Sequence, residues 1–268
     1  MINPAYAGLN NNLNVTAGYR TQWTSLDGQP QTLNLSANTS LFNNQAGIGM
    51  LIVNDRIGNV TNTEASAQLA YRINLQQSIF SFGMLAGFQS FNTDYGALNI
   101  LDDGDNAFIG AERGTRMNIG AGAILKSERL FVGLSVPRLL PSRFSNGGQR
   151  FDLYNQHFYL AGAYVHYFNQ HVRFKPSVLL RGVKGAPLSV DVGANINFNG
   201  LHTLGLFSRN FKTYGLLLQT LIKEHLRFGY VFELPTSKSV GSRFTTHEVL
   251  LGLRLSVLDF HEDSISNF

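Results

Sequence analysis

Seven histidines are the side chains here best suited to acid–base or metal chemistry: His157, His166, His171, His202, His225, His247 and His261. None forms a His-x-x-x-His pair or stands beside a Glu at metal-binding spacing, so the pattern encodes no zinc site. A Ser-His-Asp hydrolase would bring its members together only in space, and nothing points to one. The chain has no cysteine, which removes thiol nucleophiles, disulfide scaffolds and Cys-based zinc sites. One turn, Asp102-Asp103-Gly104-Asp105-Asn106, could offer Asp102, Asp103 and Asp105 to Ca²⁺. It lacks a Glu at the closing position of an EF-hand loop, and a solvated acidic loop is the default reading. The expectation is a non-enzymatic protein without metal or cofactor.

A second set of charges falls on the polar side of alternating segments: Arg20, Glu64, Arg72, Arg173, Lys175, Arg181, Asp191, Arg227, Glu233, Glu248 and Arg254. Seven are positive and four negative. Such a set either binds an anionic solute or polypeptide, or pairs across strands and holds a narrow polar interior shut.

The elements that position these charges are β-strands. In 61–75, Ala65, Ala67, Leu69, Tyr71, Ile73 and Leu75 alternate with Glu64, Ser66, Gln68, Arg72 and Asn74, and 32–41 and 189–198 behave alike. Such segments predict about fourteen strands, near 13–24, 30–42, 45–55, 60–75, 78–91, 116–126, 129–137, 154–168, 172–184, 188–198, 201–211, 214–222, 225–234 and 246–257, each long enough to cross a bilayer at a tilt. Two-residue turns (Asn43-Asn44, Gln76-Gln77, Ser127-Glu128, Asn169-Gln170, Asn199-Gly200, Lys223-Glu224) follow every second strand and share a rim with both termini. Longer loops near 92–115, 138–153 and 235–245 take the other rim. Lys212-Thr213, a tight turn on the long-loop side, fits least well. Short periplasmic turns and long outer loops describe a transmembrane antiparallel β-barrel, here residues 1–258 with a lead at 1–12 and a periplasmic tail at 259–268.

A water-soluble sandwich shows the same alternation. Two features favour the membrane. Only 14% of residues are charged, against ~25% in an average soluble domain, and aromatics sit near strand ends as a membrane girdle needs: Tyr19, Trp23, Tyr71, Phe91, Tyr154, Tyr167, Phe168, Phe198, Phe211, Tyr214 and Tyr230. No apolar run is long enough for a membrane helix. The net charge of +4 is scattered, which speaks against nucleic-acid binding. Nothing at Met1-Ile2 resembles a signal peptide, so the exported precursor is expected to begin upstream.

Ordered motifs across nearly the whole chain resemble the PorP/SprF family of Bacteroidetes outer-membrane proteins. They are Asn3-Pro4-Ala5-Tyr6-Ala7-Gly8; Arg20-Thr21-Gln22-Trp23 with Pro30-Gln31-Thr32; Gly47-Ile48-Gly49 with Asn54-Asp55 and Gly58; Asn118-Ile119-Gly120-Ala121-Gly122; the Phe131–Pro137 stretch; Lys175–Leu180; Leu226–Tyr230; and Thr246-His247-Glu248. The resemblance implies an outer-membrane barrel of the type IX secretion and gliding machinery. It would export or anchor cell-surface adhesins by binding their C-terminal secretion domain, with periplasmic secretion components and outer-membrane lipid as its other partners. Family members usually carry a segment resembling Asp-Pro-x-Phe-Ser-Gln-Tyr before the Asn-Pro-Ala-Tyr stretch, and this chain starts after it. A barrel-assembly signal places an aromatic at the end of the last strand, so either Phe260 serves or the tail is a periplasmic appendage.

From the residues alone, Asn3-Pro4-Ala5-Tyr6 reads either as an irregular lead with Tyr6 buried against the barrel or as a segment that plugs the lumen or docks a periplasmic partner. Arg20, Gln22 and Trp23 read as a lumen charge, a polar rim contact and a girdle anchor. The alternative function is a porin-like channel whose basic lumen sets anion preference.

Overall fold

The structure, a computed structural model, describes residues 2–10, 12–94, 111–140, 142–146, 149–154, 156–236 and 244–255. After a 3₁₀ turn, η1 (Pro4–Tyr6), come β1 (Leu13–Thr21), β2 (Gln31–Leu41), β3 (Ala46–Ile57), β4 (Val60–Asn74), β5 (Ser78–Asp94), β6 (Ala111–Ser127), β7 (Leu130–Arg138), β8 (Ser142–Asn146), β9 (Gln149–Tyr154), β10 (His157–Tyr164), β11 (His166–Tyr167), β12 (Val172–Val183), β13 (Ser189–Phe198), β14 (His202–Arg209), β15 (Thr213–Ile222), β16 (Leu226–Pro235) and β17 (Thr246–Leu255). Each barrel strand pairs antiparallel with its sequence neighbours, and β1 pairs with β17 to close the ring. β10 and β11 form one crossing, since both pair with β12; β8 and β9 make a separate hairpin, which leaves a closed barrel of fourteen strands.

The burial pattern is inverted relative to a soluble sheet. Along β4, Glu64, Ser66, Gln68, Ala70 and Arg72 are buried while Ala65, Ala67, Leu69, Tyr71 and Ile73 are exposed. Neighbours Gln68 and Leu69 are 1% and 65% exposed. A water-soluble sheet would bury the leucine; this wall turns apolar side chains outward, as a lipid-facing barrel must.

Turn chemistry supports the same ring. Asn199 and Gly200 both take positive φ, 53° and 69°, the two left-handed residues of a type I′ hairpin. Several expectations need correction. The turn placed at Lys212-Thr213 lies at Asn210-Phe211, with φ 52° and 54°, because Asn tolerates the left-handed region and its Oδ1 accepts from Val190 N at 2.7 Å. β5 and β6 extend to Asp94 and from Ala111, into the stretch expected as loop, and the 138–153 loop carries the β8–β9 hairpin. β1 stops at Thr21, so Trp23 lies in the following loop at φ 55°. Tyr167 faces inward, under the guanidinium groups of Arg129 and Arg173 at 5.7 and 5.5 Å, and Phe91 crosses the inward face of Gly114. Both are aromatic at a strand end, yet their parity puts them on the lumen side. The side chain of Tyr154 lies outside the described residues.

Candidate functional site

The segment before β1 lies inside the barrel. Asn3 caps η1 by accepting from Ala5 N at 3.0 Å, and Pro4, at the first position of the turn, needs no backbone donor there. The same Asn3 side chain donates from Nδ2 to the carbonyls of Ala123 on β6 and Leu134 on β7, both at 3.1 Å. Ser81 on β5 donates to Ala5 O at 2.7 Å, Arg72 on β4 to Ala7 O at 2.5 Å, and Asn38 on β2 accepts from Gly8 N at 3.2 Å. Ala5, Ala7 and Leu9 are almost wholly buried, and Leu9 completes an apolar cluster with Ile124, Phe131, Ala163 and Val165. These contacts tie the lead to the inner wall from β2 to β11.

All of these anchors lie near the short-turn ends of their strands, so the segment fills part of the lumen's periplasmic mouth. The wall is cut to receive it. A Cβ on Gly47 would stand 1.9 Å from Ala7 O, one on Gly83 2.4 Å from Ala5 N, and one on Gly122 2.1 Å from Asn3 Oδ1. Arg72 also fixes the plug to the rim, donating to Asn44 O at 2.8 Å and to Asn44 Oδ1. Tyr6 packs against the same apolar cluster, and its hydroxyl accepts from Asn10 Nδ2 at 3.4 Å. Burial pushes its phenol pKa upward, against the Asn10 hydrogen bond and the fields of Arg227 and Arg254.

Ion pairs line the wall of the upper lumen, linking nearby strands. Arg20 on β1 meets Glu233 on β16 at 2.7 Å and Glu248 on β17 at 3.2 Å; Arg209 on β14 reaches Glu233 at 3.4 Å and Asp191 on β13 at 3.3 Å; Arg181 on β12 meets Asp191 at 2.9 Å. Arg138 on β7 spans to Glu64 on β4 at 2.6 Å. Turned so that its carbonyl faces Arg20, Gln22 accepts from Nε at 2.8 Å and Nη2 at 3.0 Å. Arg138 and Arg209 were not among the expected lumen charges. Arg209 shares parity with Thr203 and Gly205, a signal interrupted by the inward Phe207, and Arg138 lies one residue past the expected strand end.

Arg173, Lys175, Arg227 and Arg254 sit on the inward parity of β12, β16 and β17 near the short-turn rim, apart from this network. Pro137 O accepts from Asn118 Nδ2 at 3.0 Å on the β6–β7 wall. His247 is on the outward face at the long-loop end, bonded to Tyr230 Oη at 2.7 Å through Nδ1 and to Thr245 Oγ1 at 3.0 Å through Nε2. Among the described residues, no three His, Asp or Glu side chains gather as a metal site. Asp102, Asp103 and Asp105 lie outside the described residues, as do Phe260, His261 and the tail 259–268.

Solved outer-membrane barrels share this architecture. Omp33 of Acinetobacter baumannii aligns over 92% of this chain and 100% of its own, at 10% identity and a TM-score of 0.55. The TodX deltaS2S3 mutant, a monoaromatic hydrocarbon channel, aligns over 95% and 93% at 10% identity and 0.57. A Pseudomonas aeruginosa FadL homologue aligns over 96% and 93% at 9% identity and 0.52. At such identities the likeness is one of fold. Comparison with curated proteins gave no match. The sequence matches the family described as Type IX secretion system membrane protein PorP/SprF over residues 1–253, and the chain belongs to that family of outer-membrane barrels.

Proposed function

We propose that this barrel is a non-enzymatic holdfast of type IX secretion, which retains a secreted adhesin at the cell surface by binding its C-terminal domain at the long-loop mouth while the short-turn rim meets periplasmic secretion components. The observation that supports the reading most is the plug: Asn3–Leu9 is fitted into glycine-cut sockets at the periplasmic end, and ion pairs tie nearby strands together above it. A barrel whose mouth is narrowed by its own chain in this way serves as a rigid post more readily than as a conduit.

The rival is a solute channel. The monoaromatic hydrocarbon channel of similar fold favours it, as do the inward cations near the periplasmic rim, which would prefer anions. Planar-bilayer conductance separates the two. The holdfast predicts a silent intact barrel, and a steady anion-selective pore from the intact chain would install the channel in its place.

A further inference from the structure

The outward face of β2–β6 changes character toward the long-loop rim. One cross-strand row, Leu35, Ile52, Ala65, Phe88 and Met117, is apolar and exposed throughout. The next outward row begins at Leu33 and then reads Asn54, Thr63, Ser90 and Thr115; Asn54 Nδ2 donates to Thr63 Oγ1 at 2.8 Å, and Thr115 Oγ1 to Ser90 Oγ at 3.4 Å. The last row, Gln31, Arg56, Thr61, Asn92 and Arg113, has no apolar member, and Arg113 Nε donates to Asn92 Oδ1 at 3.2 Å. Acyl chains offer such groups neither donor nor acceptor, so on this wall the hydrocarbon ends at the first row and the polar rows stand at headgroup level.

A cavity of about 490 Å³ opens where the last row begins, between the β1–β2 loop and the β3–β4 turn. Ser25, Asp27, Gln29, Gln31 and Arg56 line it, with Leu26 as the apolar side chain among them. Neither Asp27 nor Arg56 is ion-paired to another described residue. The loop that frames the cavity is fastened on both sides: Gly58 N donates to Gly28 O and Thr24 N to Thr245 O, both at 3.0 Å. Trp23 and Ser25 hold left-handed φ, 55° and 82°, a costly backbone for such side chains and one that recurs at ligand clamps. A fastened cavity with convergent polar groups suits a small polar ligand.

We propose that this cleft binds an acidic saccharide, the headgroup of an outer-leaflet glycolipid. Arg56 takes the phosphate or carboxylate of the headgroup in charge-assisted hydrogen bonds, while Asp27, Gln29 and Gln31 take its hydroxyls and Leu26 meets the apolar face of a sugar ring. The site lies on the outer wall, apart from the lumen, and stands whether or not the barrel retains a protein partner.

The test uses the intact barrel in phosphatidylcholine nanodiscs, which contain no glycolipid, titrated calorimetrically with deacylated lipopolysaccharide from the native outer membrane. Saturable binding is expected. Arg56→Gln weakens it about tenfold, the size of one charge-assisted hydrogen bond, and Lys223→Gln at the opposite rim leaves it unchanged. Gel mobility without heating shows that each variant remains a folded barrel. No saturable binding, or equal affinities for the parent and Arg56→Gln, would overturn the proposal. So would displacement of the saccharide by inorganic phosphate at equal concentration, the mark of a phosphate site alone.

Discussion

The carbonyl oxygen of Ala7 lies 1.9 Å from where a Cβ on Gly47 would stand. The wall and the plug therefore fit only because the wall has no side chain there. Gly47→Val is expected to expel the N-terminal segment while leaving the ring of strands intact, at a cost of about 1–3 kcal/mol from overpacking. Limited proteolysis from the periplasmic side should then remove residues before β1, which stay protected in the parent. Protection that survives the substitution would show that the plug does not depend on this socket.

Arg72 joins the plug to the rim, since one guanidinium reaches both Ala7 O and the Asn44 turn. Arg72→Ala leaves the buried Ala7 carbonyl and the half-buried Asn44 carbonyl without this donor. The expected loss is about 2–4 kcal/mol, from hydrogen bonds to a charged group. The temperature at which the barrel loses its folded gel mobility should fall accordingly, and an unchanged midpoint would count against the anchor.

In the upper lumen, Glu233 is held by Arg20 and Arg209, with side chains 4% and 14% exposed for Glu233 and Arg20. Glu233→Gln takes one carboxylate from each of two cations in a confined space and should cost about 3 kcal/mol, the lower end for a broken buried pair because Glu248 still serves Arg20 and Asp191 still serves Arg209. Arg181→Gln, at a pair with a side chain 32% exposed, should cost under ~1 kcal/mol. Equal effects in urea titrations would contradict this gradation.

Lipid contact makes a depth-dependent prediction. Leu69 lies mid-strand on the outward face, whereas Phe42 is at the short turn. Leu69→Arg should cost about 2–4 kcal/mol and Phe42→Arg close to none, measured as folding into vesicles. A soluble sandwich would give similar small values at both exposed sites.

Strand number and rim assignment were legible because period-two alternation survives wherever one face meets lipid and the other a polar lumen, as in β4. Parity failed to show itself where an inward aromatic imitates a girdle residue, as at Tyr167, or where Phe207 breaks the polar face below Arg209. The plug has no period to read. Its signal was indirect: Gly47, Gly83 and Gly122 all stand on the inward face near short turns, small residues where a wall must admit another backbone. Nothing in the sequence ties those glycines to Asn3, Ala5 and Ala7 before the ring is closed.

The central claim is retention of a secreted partner by a partly plugged barrel. It is tested most directly by purifying the tagged, full-length protein from native outer membranes in mild detergent and identifying by mass spectrometry what co-elutes. The holdfast account predicts a stoichiometric large surface protein bearing a C-terminal secretion domain. A lone barrel that conducts steadily when reconstituted would contradict it.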